Sequence, residues 1–199
     1  GDGRFGQIVT QMLNAVDCSV TLIDKKPSQI ETSGRYNTKV YYGDGLKVDV
    51  LRRAGADEAR LIVFCTDDRS VDAAVLAPIG KAFPDAKLLM RVFDRRQLTD
   101  VDGARISGAI RETFEISIAL GLMALRQLDI DDGEIAEVEQ ALRHLDATRL
   151  DAQIRAGDLA AGMDHRFVAG GGRQAASVLE ALRERRRTAK LAREEPATG

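Results

Sequence analysis

Two patterns of apolar residues alternate along the N-terminal half of the chain, one typical of helices and one typical of strands. Apolar residues recur every three or four positions over residues 5–16, which predicts an amphipathic helix. Short apolar runs bounded by turn residues predict strands over residues 19–23, 39–42, 61–65, 87–93 and 106–110. Further helices are predicted between them, over residues 27–31, 48–54, 70–83 and 97–101. Strands that alternate with helices predict an α/β fold, a doubly wound parallel sheet with helices on both faces.

Acidic residues follow several of these predicted strands. They are Asp24, Asp44, the pair Asp67 and Asp68, and Asp94. Ligands of doubly wound sheets bind beyond the carboxyl ends of the strands, so these carboxylates are predicted to lie at the ligand-binding rim. Asp44, Asp67 and Asp68 have a second interpretation, because a carboxylate just before a helix often caps its first N–H groups.

The chain opens on a G-x-G-x-x-G pattern over residues 1–6, directly before the first predicted helix. Gly1 permits a tight turn, Gly3 leaves room for a pyrophosphate, and Gly6 lets the helix lie close to a strand. The helix N-terminus offers N–H groups to a phosphate. Asp24 follows at roughly the 20-residue distance at which a carboxylate accepts the ribose hydroxyls and disfavours the 2′-phosphate of NADP. The pattern predicts a nucleotide site, and we expect a strand ahead of Gly1 that this sequence lacks.

The helix predicted over residues 112–128 has apolar side chains around nearly its whole circumference. Such a helix must be buried on more than one side, and a single sheet covers only one. We therefore expect a homodimer formed through this helix, with Gly121 allowing a close approach of the second backbone. The next helix is expected to begin at Asp131 or Asp132, with a one-sided apolar stripe.

Composition limits the class of protein. The 199 residues include 29 Lys or Arg and 31 Asp or Glu, a formal net charge of −2, and 44% are hydrophobic. This composition predicts a folded core, and the near-neutral charge gives no general attraction to nucleic acid. No apolar run approaches the roughly 18 residues of a membrane span. The two cysteines indicate no disulfide framework, which favours a reducing, cytosolic environment.

The predicted organisation has three parts. They are a Rossmann-like nucleotide-binding domain over residues 1–128, a helical extension over residues 129–156, and a flexible basic tail over residues 157–199. A short basic run of this kind is typical of a solvated surface, and a nucleic-acid or lipid patch is the alternative.

Signatures of catalysis are missing from the sequence. His144 and His165 have no metal-ligand spacing with Cys18 or Cys65. No hydroxyl, thiol or lysine nucleophile has a base placed beside it by the sequence. We therefore predict neither an enzyme nor a metal site, and a bound nucleotide is expected to regulate rather than react.

Several segments together resemble one known family. They are the opening residues 1–9, Asp24 with residues 27–31, residues 42–44, Asp67 with Asp68, Asp94 with Arg95, and the Arg-Glu-Thr-Phe-Glu sequence of residues 111–115. Over residues 1–155 the chain is similar to the cytosolic nucleotide-binding domain of Kef-type glutathione-regulated potassium-efflux systems. This domain is also called the potassium-transport nucleotide-binding or regulator-of-potassium-conductance domain.

The resemblance implies a regulatory role beside a membrane. It implies that a potassium/proton antiporter is covalently joined to this domain, with an ancillary cytosolic subunit as a further candidate partner. It implies that the cytosolic domains form dimers at the cytoplasmic face of the membrane. The ligand that it implies is AMP or NAD(H). It also implies that glutathione keeps efflux closed and that its adducts open it.

The candidate site residues follow from the motif and the resemblance together. The candidate nucleotide-binding residues are Gly1, Gly3, Arg4, Phe5, Gly6, Asp24, Lys25, Asp44, Gly45, Thr66, Asp67 and Asp68. The candidate glutathione-binding residues are Arg91, Arg111 and Glu112. Arg111 suits a carboxylate of that peptide, since a guanidinium binds carboxylates through two hydrogen bonds. An ion pair with Glu115, one helical turn on, is the alternative role of Arg111.

Two positions depart from the family pattern. Lys25 and Lys26 stand where the family often has His-Asp, which makes the rim more positive. Asp146 stands where the family's asparagine is expected, and its charge would repel the carboxylates of glutathione. Two other functions remain open, a peripheral nucleotide-binding subunit of a Trk-type potassium uptake system and a fragment of an NAD-dependent oxidoreductase.

Overall fold

A computed structural model describes residues 3–25, 38–157, 180–181 and 183–188. Gly1, Lys26, the helix predicted over residues 27–31, His165 and most of the predicted tail lie outside the described residues. The chain divides into two compact units, Gly1–Thr113 and Phe114–Gly199.

The order of helices and strands follows the predicted alternation. The strands are β1 (Thr21–Asp24), β2 (Lys39–Tyr42), β3 (Leu61–Phe64), β4 (Lys87–Val92) and β5 (Gly108–Arg111). The helices are α1 (Arg4–Asn14), α2 (Val48–Arg53), α3 (Ala73–Ala82), α4 (Arg95–Asp100), α5 (Glu112–Gln127) and α6 (Asp132–Ala156), with a short 3-10 turn at Ala56–Glu58. All five predicted strands are confirmed, with ends shifted by up to two residues. The helix predicted to begin near Ser70 begins three residues later.

The strands form two parallel sheets in the first unit. β1 pairs with β2, and β4 lies between β3 and β5. Among the described residues no ladder joins β1 to β3. In a doubly wound sheet, one central strand lies between two such groups of strands. The observed pairings, β1 with β2 and β3-β4-β5, match the strands on the two sides of that central strand. The predicted parallel α/β fold is confirmed.

The core of the first unit lies around the three-stranded sheet. Leu88, Met90 and Val92 point from β4 into it, and Leu76 and Ile79 of α3 cover them with no exposed surface. Burying side chains of this size contributes about 1.5–3 kcal/mol each. This packing holds the ends of β3 and β4 in place, where the predicted ligand rim lies.

The predicted amphipathic helix forms as α1, but its apolar stripe is not fully covered. Ile8 is 59% exposed and Met12 is 68% exposed. Gly6, in the first turn, is buried.

The second unit contains most of α5 and all of α6. No side chain of α5 is buried, and Ile116, Leu120 and Met123 are 59%, 65% and 61% exposed. Asp131 caps α6, as expected, by accepting hydrogen bonds from the N–H groups of Gly133 and Glu134. In the parts of the chain that are described, no helix is both long and apolar enough to cross a membrane.

Candidate functional site

A large open cavity lies beside the glycine-rich turn in the first unit. Its volume is about 1670 Å³, above the roughly 300–1,000 Å³ of common ligand pockets. Part of its wall is formed by β1 and β3, which no ladder joins among the described residues. The cavity brings together nearly all the predicted site residues that are described. They are Gly3, Arg4, Phe5, Gly6, Asp24, Lys25, Asp44, Gly45, Thr66, Asp67, Asp68, Arg91 and Glu112.

The glycine-rich turn leaves the start of α1 open. Gly3 is the N-cap residue of α1, in an extended conformation and without a side-chain cap. Among the described residues, a Cβ atom at Gly3 would meet nothing within 4 Å, so no described side chain crowds this position. The first turn carries no acidic residue. Unbonded N–H groups in such a place favour an anion such as a phosphate.

Asp24 is the last residue of β1 and lies beside Tyr42, the last residue of β2. Only 7% of its surface is exposed. The carbonyl oxygen of Asp24 accepts a hydrogen bond from the N–H of Gly43 at 2.9 Å. This bond joins the end of β1 to the turn that carries Asp44, so the two predicted carboxylates come from connected pieces of backbone.

Asp44 faces Lys25 across the same turn. The Lys25 ammonium lies 3.1 Å from the Asp44 carboxylate, which also accepts the N–H of Leu46 at 3.0 Å. Burial favours the neutral carboxyl, but the Leu46 hydrogen bond and Lys25 outweigh burial and hold the pKa of Asp44 below its ordinary value. The capping interpretation is wrong for this residue, because α2 begins at Val48 with Lys47 as its N-cap.

The loop after β3 is organised by its own polar side chains. The hydroxyl of Thr66 accepts the N–H of Asp68 at 3.1 Å. Asp68 in turn accepts the N–H and the hydroxyl of Ser70, at 2.9 and 2.6 Å. These two hydrogen bonds lower the pKa of Asp68. Asp68 therefore closes a turn and does not cap α3, whose cap is Asp72.

Arg91 and Glu112 form a half-buried ion pair at the edge of the cavity. The Nε of Arg91 donates to Oε2 of Glu112 at 2.7 Å, and Nη2 donates to the same oxygen. The guanidinium carbon of Arg91 also lies 5.0 Å from the centre of the Phe5 ring. Arg91 therefore connects the end of β4 to the start of α5 through Glu112 and to the first turn of α1 through Phe5.

The remaining predicted residues lie elsewhere. Arg111 ends β5 and is not among the residues that line the cavity. Glu115 accepts two hydrogen bonds from Arg143, each 2.9 Å long, and these bonds belong to the second unit. Hydrogen bonds to Glu115 and Glu139 raise the pKa of Arg143. Asp146 lies in the second unit and is only 8% exposed.

Sequence reasoning missed three residues beside the cavity. The guanidinium of Arg69 lies 3.3 Å from the centre of the Phe93 ring, and Gln97 is a buried amide of α4. These three residues help to line a smaller cavity of about 110 Å³ next to Thr66 and Asp67. A polar residue in the first turn of a short helix carries no signal of burial, which is why the pattern did not identify Gln97.

The TrkA-N domain family matches residues 1–111. This chain belongs to the TrkA-N domain family. A glutathione-regulated potassium-efflux system protein of Haemophilus influenzae is 35% identical over 154 residues, which are 77% of this chain and 25% of that protein. This chain thus spans about a quarter of the length of the curated relatives it matches.

Solved structures of TrkA-N and related domains share the fold. The Kef CTD of Shewanella denitrificans, in AMP-bound form, superposes with a TM-score of 0.70 at 29% identity, over 78% of this chain and 96% of that one. The TrkA-N domain of the inner membrane protein ybaL from Escherichia coli superposes with a TM-score of 0.56 at 14% identity, over 60% of this chain and 89% of that one. The predicted resemblance to the Kef family is confirmed.

Proposed function

We propose that this TrkA-N domain is the regulatory domain of a potassium-efflux transporter and that it binds an adenine nucleotide, AMP or NAD(H), in the large cavity. The observation that carries the proposal is the convergence of four chain segments on that cavity. They are the glycine-rich turn, the end of β1, the β2–α2 turn and the loop after β3. The AMP-bound state of the structurally similar Kef domain supports the choice of nucleotide.

Each wall of the cavity suits one part of the nucleotide. The open N-terminus of α1 at Gly3 suits the phosphate. The buried carboxylate of Asp24 suits the two ribose hydroxyls, and its charge disfavours a 2′-phosphate. Asp44 and Asp67 line the same cavity and suit the adenosine, whose hydroxyl and amino groups can donate hydrogen bonds to carboxylates. The proposed role is binding and regulation, in which the nucleotide is not consumed.

Titration calorimetry with AMP and with NADH tests the proposed site. Asp24→Asn should weaken AMP binding by about 10- to 100-fold, because a hydrogen bond to a charged group contributes about 1.5–3 kcal/mol. Asp17→Asn is the matched control, since Asp17 lies past the end of α1 with a positive φ that asparagine also adopts. The proposal fails if the unchanged chain binds neither nucleotide, or if both variants bind AMP equally well.

The length and the names of the relatives support a proposal about the larger protein. We propose that a potassium/proton antiporter is joined covalently to this domain, which then lies at the cytoplasmic face of the membrane, where an ancillary subunit could also dock. The support is that the matched segment of 154 residues is only 25% of each of these relatives, which are named potassium-efflux systems. Potassium release from vesicles that contain the full transporter, with and without AMP, tests this regulatory role.

Glutathione is the proposed second regulator. Arg111 is the candidate for its carboxylate, because a guanidinium binds carboxylates through two hydrogen bonds. Arg91 and Glu112, which pair with each other, are the other candidate residues. Calorimetry with reduced glutathione should show binding that Arg111→Ala weakens and that Arg155→Ala, on the exposed end of α6, leaves unchanged. Equal binding by both variants would exclude Arg111 from the site.

A homodimer through residues 112–128 is proposed for the apolar face of α5. Its support is the row of exposed side chains at Ile116, Leu120 and Met123. Leu120→Glu should shift the chain to monomer in sedimentation analysis, since a buried unpaired charge opposes association. Met12→Glu, at an equally exposed position of α1, is the control that should leave the dimer intact.

A further inference from the structure

Gln97 is a buried side-chain amide whose two polar atoms bind two different loops. It lies in the first turn of α4 and is 5% exposed. Its Oε1 accepts the N–H of Phe93 at 2.7 Å, and its Nε2 donates to the carbonyl oxygen of Asp68 at 2.9 Å. Phe93 follows β4, and Asp68 lies in the loop after β3.

These bonds continue the connection between β3 and β4 beyond the end of their ladder. The last paired residues of the two strands are Phe64 and Met90. The ladder ends at that pair, and beyond it the amide of Gln97 supplies one acceptor and one donor, as a peptide group of a strand would. Losing these hydrogen bonds would cost about 0.5–1.5 kcal/mol each.

A second contact joins the same two loops. The guanidinium of Arg69 lies over the ring of Phe93, with its carbon 3.3 Å from the ring centre. The position of Gln97 is itself fixed, because its own N–H donates to the carboxylate of Asp94 at 3.0 Å. The loop that carries Thr66 and Asp67 is therefore anchored to the end of β4 at two points.

We propose that Gln97 is a positioning residue for the nucleotide site. Its amide holds the loop of residues 66–70 so that Thr66 and Asp67 face the large cavity, and it does so without contacting the ligand. The inference rests on the proposed function, because it assigns Gln97 to the same adenine-nucleotide site. A side chain of similar length without an amide fills the space but cannot bind both loops.

The test compares Gln97→Met with Val101→Ala. Val101 lies one turn further along, is 2% exposed, and makes a matched core change that leaves both loop bonds in place. Gln97→Met should weaken AMP binding about tenfold by calorimetry, which corresponds to about 1.4 kcal/mol. Val101→Ala should lower the melting temperature while its AMP affinity stays within about twofold.

Amide hydrogen exchange supplies the readout that does not depend on ligand. In Gln97→Met the amides of residues 66–70 and of Phe93 should exchange faster than in Val101→Ala. Gln97→Asn, whose shorter amide reaches at most one loop, should behave like Gln97→Met and serves if that variant does not fold.

The outcomes separate the two proposals. Unchanged exchange at residues 66–70 in a folded Gln97 variant would overturn the anchoring. An AMP affinity that falls no further in Gln97→Met than in Val101→Ala would overturn the positioning role. Absence of AMP binding in the unchanged chain would overturn the proposed function and, with it, the ligand role of Gln97, whatever the exchange shows.

Discussion

Glu112 accepts two hydrogen bonds from the guanidinium of Arg91, one of them 2.7 Å long from Nε. The side chains are 17% and 24% exposed, so this pair is sheltered from solvent more than the other ion pairs described in the chain. The guanidinium also lies over Phe5, in the first turn of α1. The positive charge of Arg91 at this edge of the cavity is therefore balanced by the Glu112 carboxylate.

Removing that carboxylate charge should strengthen the binding of an anion. Glu112→Gln leaves Arg91 without its neutralising partner at the cavity edge, and we expect AMP affinity to rise about three- to tenfold at low salt. Calorimetry at low and at high ionic strength measures the change, which should shrink as salt screens the charge. Glu139→Gln, which removes a carboxylate paired with Arg143 in the second unit, is the control. A rise of the same size in both variants would show a general effect of net charge.

The Lys25–Asp44 pair should respond to pH in one direction. Because the pKa of Asp44 is lowered in the folded chain, its contribution to stability is complete above the ordinary carboxyl pKa. That contribution is lost as the pH falls through the lowered pKa. Lys25→Met should raise the pKa of Asp44 in a carboxyl NMR titration, whereas Lys39→Met on β2 should not. An unchanged Asp44 pKa in Lys25→Met would leave the Leu46 hydrogen bond as its main cause.

The two thiols should differ in reactivity. Cys18 is exposed, whereas Cys65 is 8% exposed and burial raises the pKa of its thiol. The thiolate is the reactive form, so iodoacetamide at pH 8 should modify Cys18 first. Peptide mass spectrometry identifies the modified residue, and Cys18→Ser should leave a folded chain that reacts slowly. Rapid alkylation of Cys65 in that variant would show that the end of β3 opens readily.

Arg143 should stabilise the second unit through its pairing with Glu115. Both side chains are partly exposed, which limits the coupling to about 0.5–1 kcal/mol despite the two-bond geometry. Urea unfolding of Arg143→Leu, Glu115→Gln and the double variant measures it. The Arg155–Asp151 pair, at 3.8 Å and highly exposed, is the comparison and should show almost no coupling. Equal coupling in both pairs would contradict the importance of the two-bond geometry.

The helical and strand pattern was largely predictable because it is local. Asp24 was expected at the end of a strand from the apolar run before it, and it ends β1. The start of α3 was misjudged, because Asp68 and Asp72 are both good caps and the sequence does not rank them. The Asp68–Ser70 turn places the cap at Asp72.

Sequence alone determined which residues could form a nucleotide site, since the glycine pattern and the strand-end acids have a fixed spacing along the chain. The tertiary structure decided how those residues are held. Gln97 meets Asp68 across 29 positions, and Arg91 meets Glu112 across 21. Such contacts depend on how neighbouring strands bring distant loops together, and no local period encodes them. Side-chain burial and charge pairing at the rim therefore became visible only in the folded chain.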